Sequence, residues 1–182
     1  MRKELRIAVG ILRLAKEKIW NTKRLKTHGI SYYIGKNVRF YTARDEKSIL
    51  DLGTKTWIGE NSCFSASGGS VRLGYNNFFN SNTYLVAKSA ITIGDNNLFG
   101  PNVVIVDHDH RYDDPQQLIC KQGFTTSPII IGSNIWIGAN VIVCQGVSIC
   151  DRVVVAGNAV ITKPITESGV YGGIPAHKIK DI

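Results

Sequence analysis

The sequence lacks the features that mark a nucleic-acid-binding, disordered or disulfide-bonded protein. Its 22 lysines and arginines against 14 acidic residues give a net charge of +8, yet it has no helix-turn-helix, zinc-finger or RNA-binding motif, so nucleic acid is not favoured as a partner. Only 20% of its 182 residues are charged and 43% are hydrophobic, which excludes a disordered chain and indicates one folded domain. The cysteines contain no CxxC pair, so free thiols in a reducing compartment are favoured over a disulfide or metal site. These cysteines are Cys63, Cys120, Cys144 and Cys150.

The first 27 residues hold much of the positive charge and no membrane-spanning run. The uncharged stretch between Arg6 and Arg13 is only IAVGIL, whereas a spanning helix needs about twenty residues. Apolar spacing predicts an amphipathic helix over 1–27. Its apolar face would contain Leu5, Ala8, Leu12, Ala15 and Ile19, extended by Val9 and Trp20. Either this helix covers the open end of the fold that follows, or its apolar face lies on an acidic membrane surface.

Residues 131–165 repeat with a period of six. Aliphatic side chains recur at Ile131, Ile137, Val143, Ile149, Val155 and Ile161. A second set follows four residues later, at Ile135, Val141, Val147, Val153, Ala159 and Ile165. Neither a helix nor a simple alternating strand has this period. The pattern predicts a hexapeptide-repeat parallel β-helix, in which about eighteen residues form one triangular coil and the leading aliphatic points inward.

The repeat extends towards the N-terminus with small interruptions and one large one. Earlier sets begin at Leu52, Leu73 and Ile93, and the segments SASGGS and AKSA between them are predicted to be outward loops at corners. The repeat stops at Val106 and resumes at Ile131, so 107–128 is predicted to be a protruding loop with a functional role. The predicted organisation is therefore a basic helix (1–27), a β-helix domain (28–166) and a C-terminal cap (167–182).

Three segments resemble the hexapeptide-repeat acyltransferases, in particular the maltose, galactoside and capsular-polysaccharide O-acetyltransferases. They are ITIGDNNLFGPNVVIVDHDH (91–110), PIIIGSNIWIGANVIVCQGVSI (128–149) and VVVAGNAVITKPI with VYGGIPAHKIK (153–180), a little over half of the chain. The resemblance implies an all-β, left-handed parallel β-helix with an N-terminal α-helix and a protruding loop. It also implies a cytoplasmic homotrimer that binds coenzyme A in a groove between neighbouring chains. The implied reaction moves an acetyl group from acetyl-CoA to a hydroxyl of a sugar or polysaccharide precursor, without a metal.

The resemblance places the catalytic histidine at the head of the loop, which is His110 here. Acetyl transfer to a hydroxyl needs a base, and histidine as a residue type titrates near neutral pH. His108 is the rival, because residues two apart in a strand point the same way, and Asp107 or Asp109 is expected to orient an imidazole. The active-site asparagine of the family corresponds to Asn80, although asparagine is also a common corner residue. The other expected acceptor contacts are Asn82, Asp107, Arg111 and Tyr112.

For coenzyme A, the resemblance implies a set of small and basic residues in the last coils and the cap. Small residues let the backbone approach the pantetheine arm, an N–H near Ala139 would stabilise the oxyanion, and lysines would neutralise phosphates. Trp136 would wall the cleft, or would instead fill a subunit interface. The predicted set is Ala139, Gly157, Thr162, Lys163, Lys180 and Trp136.

Three other functions remain to be weighed against O-acetyl transfer. A zinc enzyme of the γ-carbonic-anhydrase type needs three histidines at one site, and this chain has only His28, His108, His110 and His177, without the ligand expected near 70–90. A non-catalytic scaffold predicts no coenzyme A binding. N-acetylation of an amino sugar is a variant that the sequence leaves open.

Overall fold

The computed structural model describes residues 3–20, 24–29 and 31–182. One helix, α1 (Lys3–Trp20), precedes a β-solenoid of about six turns. The predicted left-handed parallel β-helix is confirmed. The six leading aliphatic side chains predicted to point inward over 131–165 are all buried, and so are the six of the second set.

Strands are numbered in chain order and form the three faces of a triangular prism, here called sheets A, B and C. Sheet A contains β1 (Leu25–Thr27), β4 (Ile49–Leu52), β7 (Ser70–Leu73), β10 (Ala90–Ile93), β15 (Ile129–Ile131) and β18 (Ser148–Ile149). Sheet B contains β2 (Tyr32–Ile34), β5 (Thr56–Ile58), β8 (Phe78–Phe79), β11 (Leu98–Phe99), β16 (Trp136–Ile137), β19 (Val153–Val155), β21 (Gly169–Gly172) and β22 (His177–Lys180). Sheet C contains β3 (Arg39–Thr42), β6 (Cys63–Ala66), β9 (Tyr84–Ala87), β12 (Val104–Val106), β17 (Ile142–Val143) and β20 (Val160–Ile161).

The chain visits sheets A, B and C in turn, and each strand pairs in parallel with its equivalent one coil later. Ile91 lies beside Ile129 in sheet A, for example, although 38 residues separate them. This register stacks the inward side chains of equivalent positions in successive coils on one another. Phe79 lies between two other buried rings, with centroids 5.1 Å from Phe64 and 4.4 Å from Phe99.

The corners between sheets B and C depend on asparagine. Each has one asparagine with φ between 54° and 63°, the left-handed region that asparagine tolerates better than most residues. These are Asn37, Asn61, Asn82, Asn102, Asn140 and Asn158. Their side-chain amides also bond along the prism, for example from Asn82 to Asn102 at 3.0 Å and from Asn102 to Asn140 at 2.9 Å. Conformation and side-chain ladder together explain why asparagine recurs here.

Helix α1 packs against β2, but not through the face that the sequence predicted. Leu5 and Leu12 are 53% and 71% exposed, and Ala8 and Ala15 are exposed with them. Among the helix residues whose burial the structure describes, the buried ones are instead Gly10 and Leu14, and Leu14 joins the core. The side chains of Ile19 and Trp20 lie outside the described part of the chain.

Gly10 is buried because the helix covers the free edge of sheet B. A Cβ at Gly10 would lie 2.7 Å from the backbone nitrogen of Ile34 and 2.9 Å from the carbonyl oxygen of Tyr32. Arg13 donates from Nη1 to the carbonyl oxygen of Ile34 at 2.8 Å. Covering an edge strand in this way prevents it from pairing with another chain, so the capping interpretation of the helix holds with the opposite face.

One element boundary differs from the sequence prediction, and the predicted cap takes a defined form. The helix ends at Trp20, and β1 already forms the first rung of sheet A, where Leu25 pairs with Leu50. The segment 167–182 is a hairpin in which β22 runs antiparallel to β21 at the far edge of sheet B. Within the described residues, α1 is not apolar and long enough to cross a membrane, nor is any other helix.

Candidate functional site

The predicted loop 107–128 is an arm that leaves the prism at the corner between sheets C and A, here called the C–A corner. Its base is a two-stranded antiparallel ribbon of β13 (His108–His110) and β14 (Phe124–Thr126), and its tip contains a 3-10 turn at Ile119–Lys121. Gln145 anchors the ribbon to the next coil, because its amide donates to Asp109 at 2.7 Å and to Thr125 at 3.1 Å. The arm is therefore an ordered extension of the prism.

Asp107 fixes the base of the arm. Its carboxylate is fully buried and accepts the backbone N–H groups of Lys88 and Ser89, both at 2.8 Å. It also lies 3.2 Å from Nδ1 of His108. The expected contact of Asp107 with the acceptor is therefore corrected: the carboxylate has no exposed surface, and it positions His108 and the preceding corner instead.

The two histidines lie on one side of the arm, as strand geometry predicts. Their rings both contact Phe124, with centroid distances of 5.6 Å for His108 and 4.5 Å for His110. The His108 side chain is only 13% exposed, whereas His110 is exposed. His108 thus has an orienting carboxylate and little access, and His110 has free access to solvent.

The outer part of the arm carries Arg111 and Tyr112. Arg111 pairs with Asp113 at 2.9 Å, and this hydrogen-bonded partner lowers the pKa of the Asp113 carboxyl. Tyr112 is 77% exposed. Both residues follow directly on His110, so they are available to a molecule bound beside the arm, but neither contacts a histidine ring.

Lys88 is a residue of this region that the sequence did not single out. Its ammonium lies 4.3 Å from the centroid of Phe124, so a cation–π contact holds it beside the ring that both histidines touch. In the sequence it belongs to the AKSA segment, which reads only as a corner loop. Its neighbourhood depends on Phe124, which lies 36 residues later.

The predicted coenzyme residues divide between two edges of the prism. Ala139 and Gly157 stack at the corner between sheets B and C, the B–C corner, where Asn158 donates its N–H to the carbonyl of Ala139 at 2.8 Å. Thr162 and Lys163 lie at the C–A corner, two coils beyond the arm, and both are exposed. One chain therefore does not bring the two pairs together.

Trp136 and Lys180 both lie in sheet B, away from the arm. Trp136 points outward from β16 and is 56% exposed, next to Leu98, which is 52% exposed. Lys180 is exposed at the end of β22. An exposed tryptophan on a flat sheet is available to a ligand or to a second chain.

Asn80 and Asn82 lie at the B–C corner, so neither shares an edge with His110. The side-chain oxygen of Asn80 accepts the N–H of Ser81 at 2.8 Å, and its amide nitrogen stays available. Asn82 donates its amide to Asn102 and takes part in the corner ladder. Among the residues that the structure describes, no group of three histidine, cysteine or acidic side chains is arranged to hold a metal ion.

The thiols next to the arm are shielded. Cys144 is half-buried at the C–A corner, and burial, with a smaller contribution from the charge of Asp109, raises its pKa. A raised pKa leaves less of the thiolate, which is the nucleophilic form, so the geometry gives Cys144 no role in covalent transfer.

Comparison with known proteins identifies relatives that share the hexapeptide repeat. The family described as hexapeptide repeat of succinyl-transferase matches residues 128–163. Galactoside O-acetyltransferase of Escherichia coli K12 is 30% identical over 165 residues, which cover 88% of this chain and 79% of the relative. A probable acetyltransferase of Mycobacterium tuberculosis H37Rv is 32% identical over 82% of this chain, which spans about half (49%) of that longer relative.

A solved structure is similar in both sequence and fold. It is a hexapeptide-repeat-containing acetyltransferase from Vibrio cholerae O1 biovar eltor, complexed with acetyl-coenzyme A. The identity is 31% and the TM-score 0.66, with 72% of this chain and 70% of that chain covered.

Proposed function

Because this chain belongs to the hexapeptide-repeat acetyltransferase family, we propose that it transfers an acetyl group from acetyl-CoA to a hydroxyl of a sugar or polysaccharide precursor. The observation that carries the proposal is the ordered arm with an accessible histidine, His110, at the C–A corner. Two relatives support its two halves: the Vibrio protein is a complex with acetyl-CoA, and the Escherichia coli relative is named for a galactoside acceptor.

In the proposed reaction, His110 is the general base. The acceptor hydroxyl oxygen attacks the thioester carbonyl carbon while the imidazole takes the hydroxyl proton. The C–S bond then breaks, the acetyl ester forms, and the same proton passes to the departing sulfur to give coenzyme A thiol. Transfer is direct, without an acetyl-enzyme. His108, held by Asp107, supports the orientation of the ribbon and is the alternative base.

The division of the predicted residues between two edges supports a homotrimer with one site at each interface. In such a trimer the C–A corner of one chain, with His110 and Lys163, faces the B–C corner of its neighbour, with Asn80 and Ala139. The outer surfaces of sheets B and C also carry exposed apolar side chains that a second copy would cover. They include Leu98, Trp136, Tyr84, Tyr41 and Ile142.

Mixing two inactive variants tests the shared site. In trimers assembled from equal amounts of His110→Ala and Asn80→Ala chains, about a quarter of the interfaces join an intact histidine edge to an intact asparagine edge. We therefore expect each variant alone to be inactive and the co-assembled mixture to regain about a quarter of the wild-type activity. A mixture as inactive as its parents would place the whole site within one chain.

The reaction itself is tested by coenzyme A release from acetyl-CoA with a panel of sugars, amino sugars and nucleotide sugars. We expect acceptor-dependent release that is abolished in His110→Ala and weakened but measurable in His108→Ala. Loss confined to His108→Ala would move the base two residues upstream, and turnover of amino sugars alone would favour N-acetylation. No release with any acceptor, together with no calorimetric binding of acetyl-CoA, would leave only the scaffold interpretation.

Helix α1 supports a second part of the proposal, a cytoplasmic enzyme that binds the inner face of the membrane. Residues 1–27 contain nine basic and two acidic residues, so they hold +7 of the net charge of +8. The outward face of α1 is apolar at Leu5, Ala8, Leu12 and Ala15. A basic helix with an uncovered apolar face fits an anionic lipid surface.

Vesicle sedimentation tests this contact. We expect the protein to sediment with vesicles of phosphatidylcholine that contain phosphatidylglycerol, and much less with phosphatidylcholine alone. Leu12→Glu is expected to lose the binding, whereas Leu118→Glu, a control at a leucine of the arm that is 65% exposed, is expected to retain it. Equal sedimentation of both variants would remove α1 from the contact.

A further inference from the structure

A cavity lies beside the arm, on the side of the coils that precede it. Its volume is about 480 Å3. It follows the C–A corners of three successive coils and reaches the ribbon at Thr126, which pairs with His108. Its lining is Glu46, Lys47, Ile49, Gly68, Gly69, Ser70, Arg72, Lys88, Ser89 and Thr126.

The charge in this cavity is positive and unpaired. Three cationic side chains, Lys47, Arg72 and Lys88, share it with one carboxylate, Glu46. None of the three is in an ion pair with any residue of 3–20, 24–29 or 31–182. Arg72 donates to the hydroxyl of Ser70 at 2.7 Å, which holds its guanidinium in place. Three cations that line one cavity with a single carboxylate are a typical site for a phosphate or carboxylate.

Lys88 connects the cavity to the chemistry. Lys88 is half-buried, and its ammonium is held against Phe124, whose ring also contacts His110 at 4.5 Å between centroids. Only the Phe124 ring would therefore separate an anion bound at Lys88 from the imidazole of His110. The other two cations extend the site away from the arm, along the outer surface of sheet A.

The position of the cavity assigns it to the acceptor rather than to coenzyme A. Neighbouring coils are about 4.8 Å apart. Lys88 lies one coil before the arm, whereas Thr162 and Lys163 lie two coils after it. The two cationic regions are therefore about 14 Å apart along the prism, on opposite sides of the histidines. If coenzyme A binds along the coils that follow the arm, the coils that precede the arm are available to the acceptor.

We propose that the acceptor carries an anionic group, a phosphate or a carboxylate, which Lys88 binds together with Arg72 and Lys47. This inference rests on the proposed function, since it names the chemical class of acceptor for that reaction. The anion anchors the sugar on the side of the arm opposite the thioester and turns one hydroxyl towards His110. Lys88 determines specificity and takes no part in proton transfer.

Matched acceptors test the proposal. Acetyl transfer is measured with p-nitrophenyl β-galactoside as the neutral acceptor, p-nitrophenyl β-glucuronide as the carboxylate, and galactose 1-phosphate and UDP-galactose as phosphate acceptors. Hydrogen bonds to charged groups are worth about tenfold to a hundredfold in binding. We expect kcat/KM for one anionic class to exceed that of the neutral sugar by that factor, and the class that wins identifies the anion.

Variants assign the preference to the cavity. Lys88→Gln is expected to lower kcat/KM about tenfold to a hundredfold for the anionic acceptor only, chiefly through KM, and Lys88→Arg is expected to restore most of it. Arg72→Gln gives a smaller loss in the same direction. Lys55→Gln, which removes an exposed charge at the corner between sheets A and B, is the control with no expected effect.

Binding separates this inference from the proposed function. If no acceptor is turned over, calorimetric binding of the same anionic sugars that is lost in Lys88→Gln still supports an anion subsite, while the transferase proposal fails. If neutral sugars are turned over as well as anionic ones, or if Lys88→Gln changes both equally, the subsite is refuted and the transferase proposal stands.

Discussion

Replacement of Asp107 by asparagine perturbs the point where the arm leaves the prism. At the preceding C–A corner the chain turns directly into the next strand of sheet A, and the carbonyls of Ala87 and Ser89 accept the N–H groups of Ser67 and Ser70 in the coil before. At the arm the chain departs, and the carboxylate of Asp107 takes that place for the N–H groups of Lys88 and Ser89, both at 2.8 Å. The side chain is fully buried, so water does not replace a lost acceptor.

Asparagine has nearly the same shape but only one acceptor oxygen. Its NH2 group would face one of the two N–H donors, which leaves a buried amide unsatisfied at about 1–3 kcal/mol, and the remaining bond loses the charge that contributes about 1 kcal/mol more. We therefore expect the free energy of unfolding to fall by about 2–4 kcal/mol. For a chain of this length each kcal/mol lowers Tm by about 2–4 °C, so Tm should fall by roughly 10 °C.

Thermal unfolding followed by circular dichroism measures this shift. The control is Asp109→Asn, because Asp109 is exposed and has one side-chain bond, from Gln145 at 2.7 Å, and exposed contacts contribute little. Its Tm should stay within about 2 °C of wild type. If Asp107→Asn unfolds at the wild-type temperature, the buried carboxylate does not replace the missing strand, and the account of the arm is wrong.

Two further predictions concern the helix and the thiols. Gly10→Ala should destabilise the protein by about 1–3 kcal/mol, although alanine favours helices, because its Cβ would lie 2.7 Å from the backbone nitrogen of Ile34. The urea midpoint of this variant is compared with that of Ala8→Ser, a change at an exposed position of the same helix. With a thiol reagent at pH 8, exposed Cys120 should react first and Cys63 only on unfolding, because burial raises the pKa of Cys63 and keeps its thiol protonated. Mass spectrometry of the labelled peptides gives the order of reaction. Equal rates at both cysteines would contradict the prediction.

The regular part of the solenoid was predictable because one rule repeats there. Each rung has two inward side chains at fixed spacing, and over 131–165 both the leading aliphatic set and the second set are buried. The rule covers local geometry and one-coil stacking, so the position and protrusion of the arm followed from where it fails. It does not extend to the first coils, where β1 begins at Leu25 inside the segment assigned to the helix.

The wrong face of α1 has a specific physical cause. Periodicity selects the stripe with the most apolar side chains, which contains Leu5 and Leu12. Packing on the backbone of an edge strand instead selects the smallest residue, because Gly10 lets the helix approach the N–H of Ile34 and the carbonyl of Tyr32. A glycine within an amphipathic helix indicates that another backbone packs closely against that position. In α1 this determined the buried face, although the opposite face has more large apolar side chains.

The site could be predicted only as far as single edges of the prism. Sequence spacing places Asn80 about one and a half coils before His110, which separates the two within one chain but does not show which edge of another chain would complete the site. The two lie at different corners, separated by a strand of sheet C, and a side of about five residues spans roughly 15 Å. No side chain reaches across that distance, so a single chain does not assemble the predicted set.

Lys88 shows the complementary limit. A lysine at a solenoid corner is normally a solvated charge, and nothing within AKSA distinguishes it. Its place in the site comes from two long-range contacts: Asp107 holds its backbone N–H, and Phe124, returning from the far side of the arm, holds its ammonium. In the proposed site, the arm therefore sets the acceptor specificity of the corner before it and also carries the base. If the arm alone is moved into a relative, and Lys88 is not moved with it, we expect the relative to gain the histidine but not the preference for an anionic acceptor.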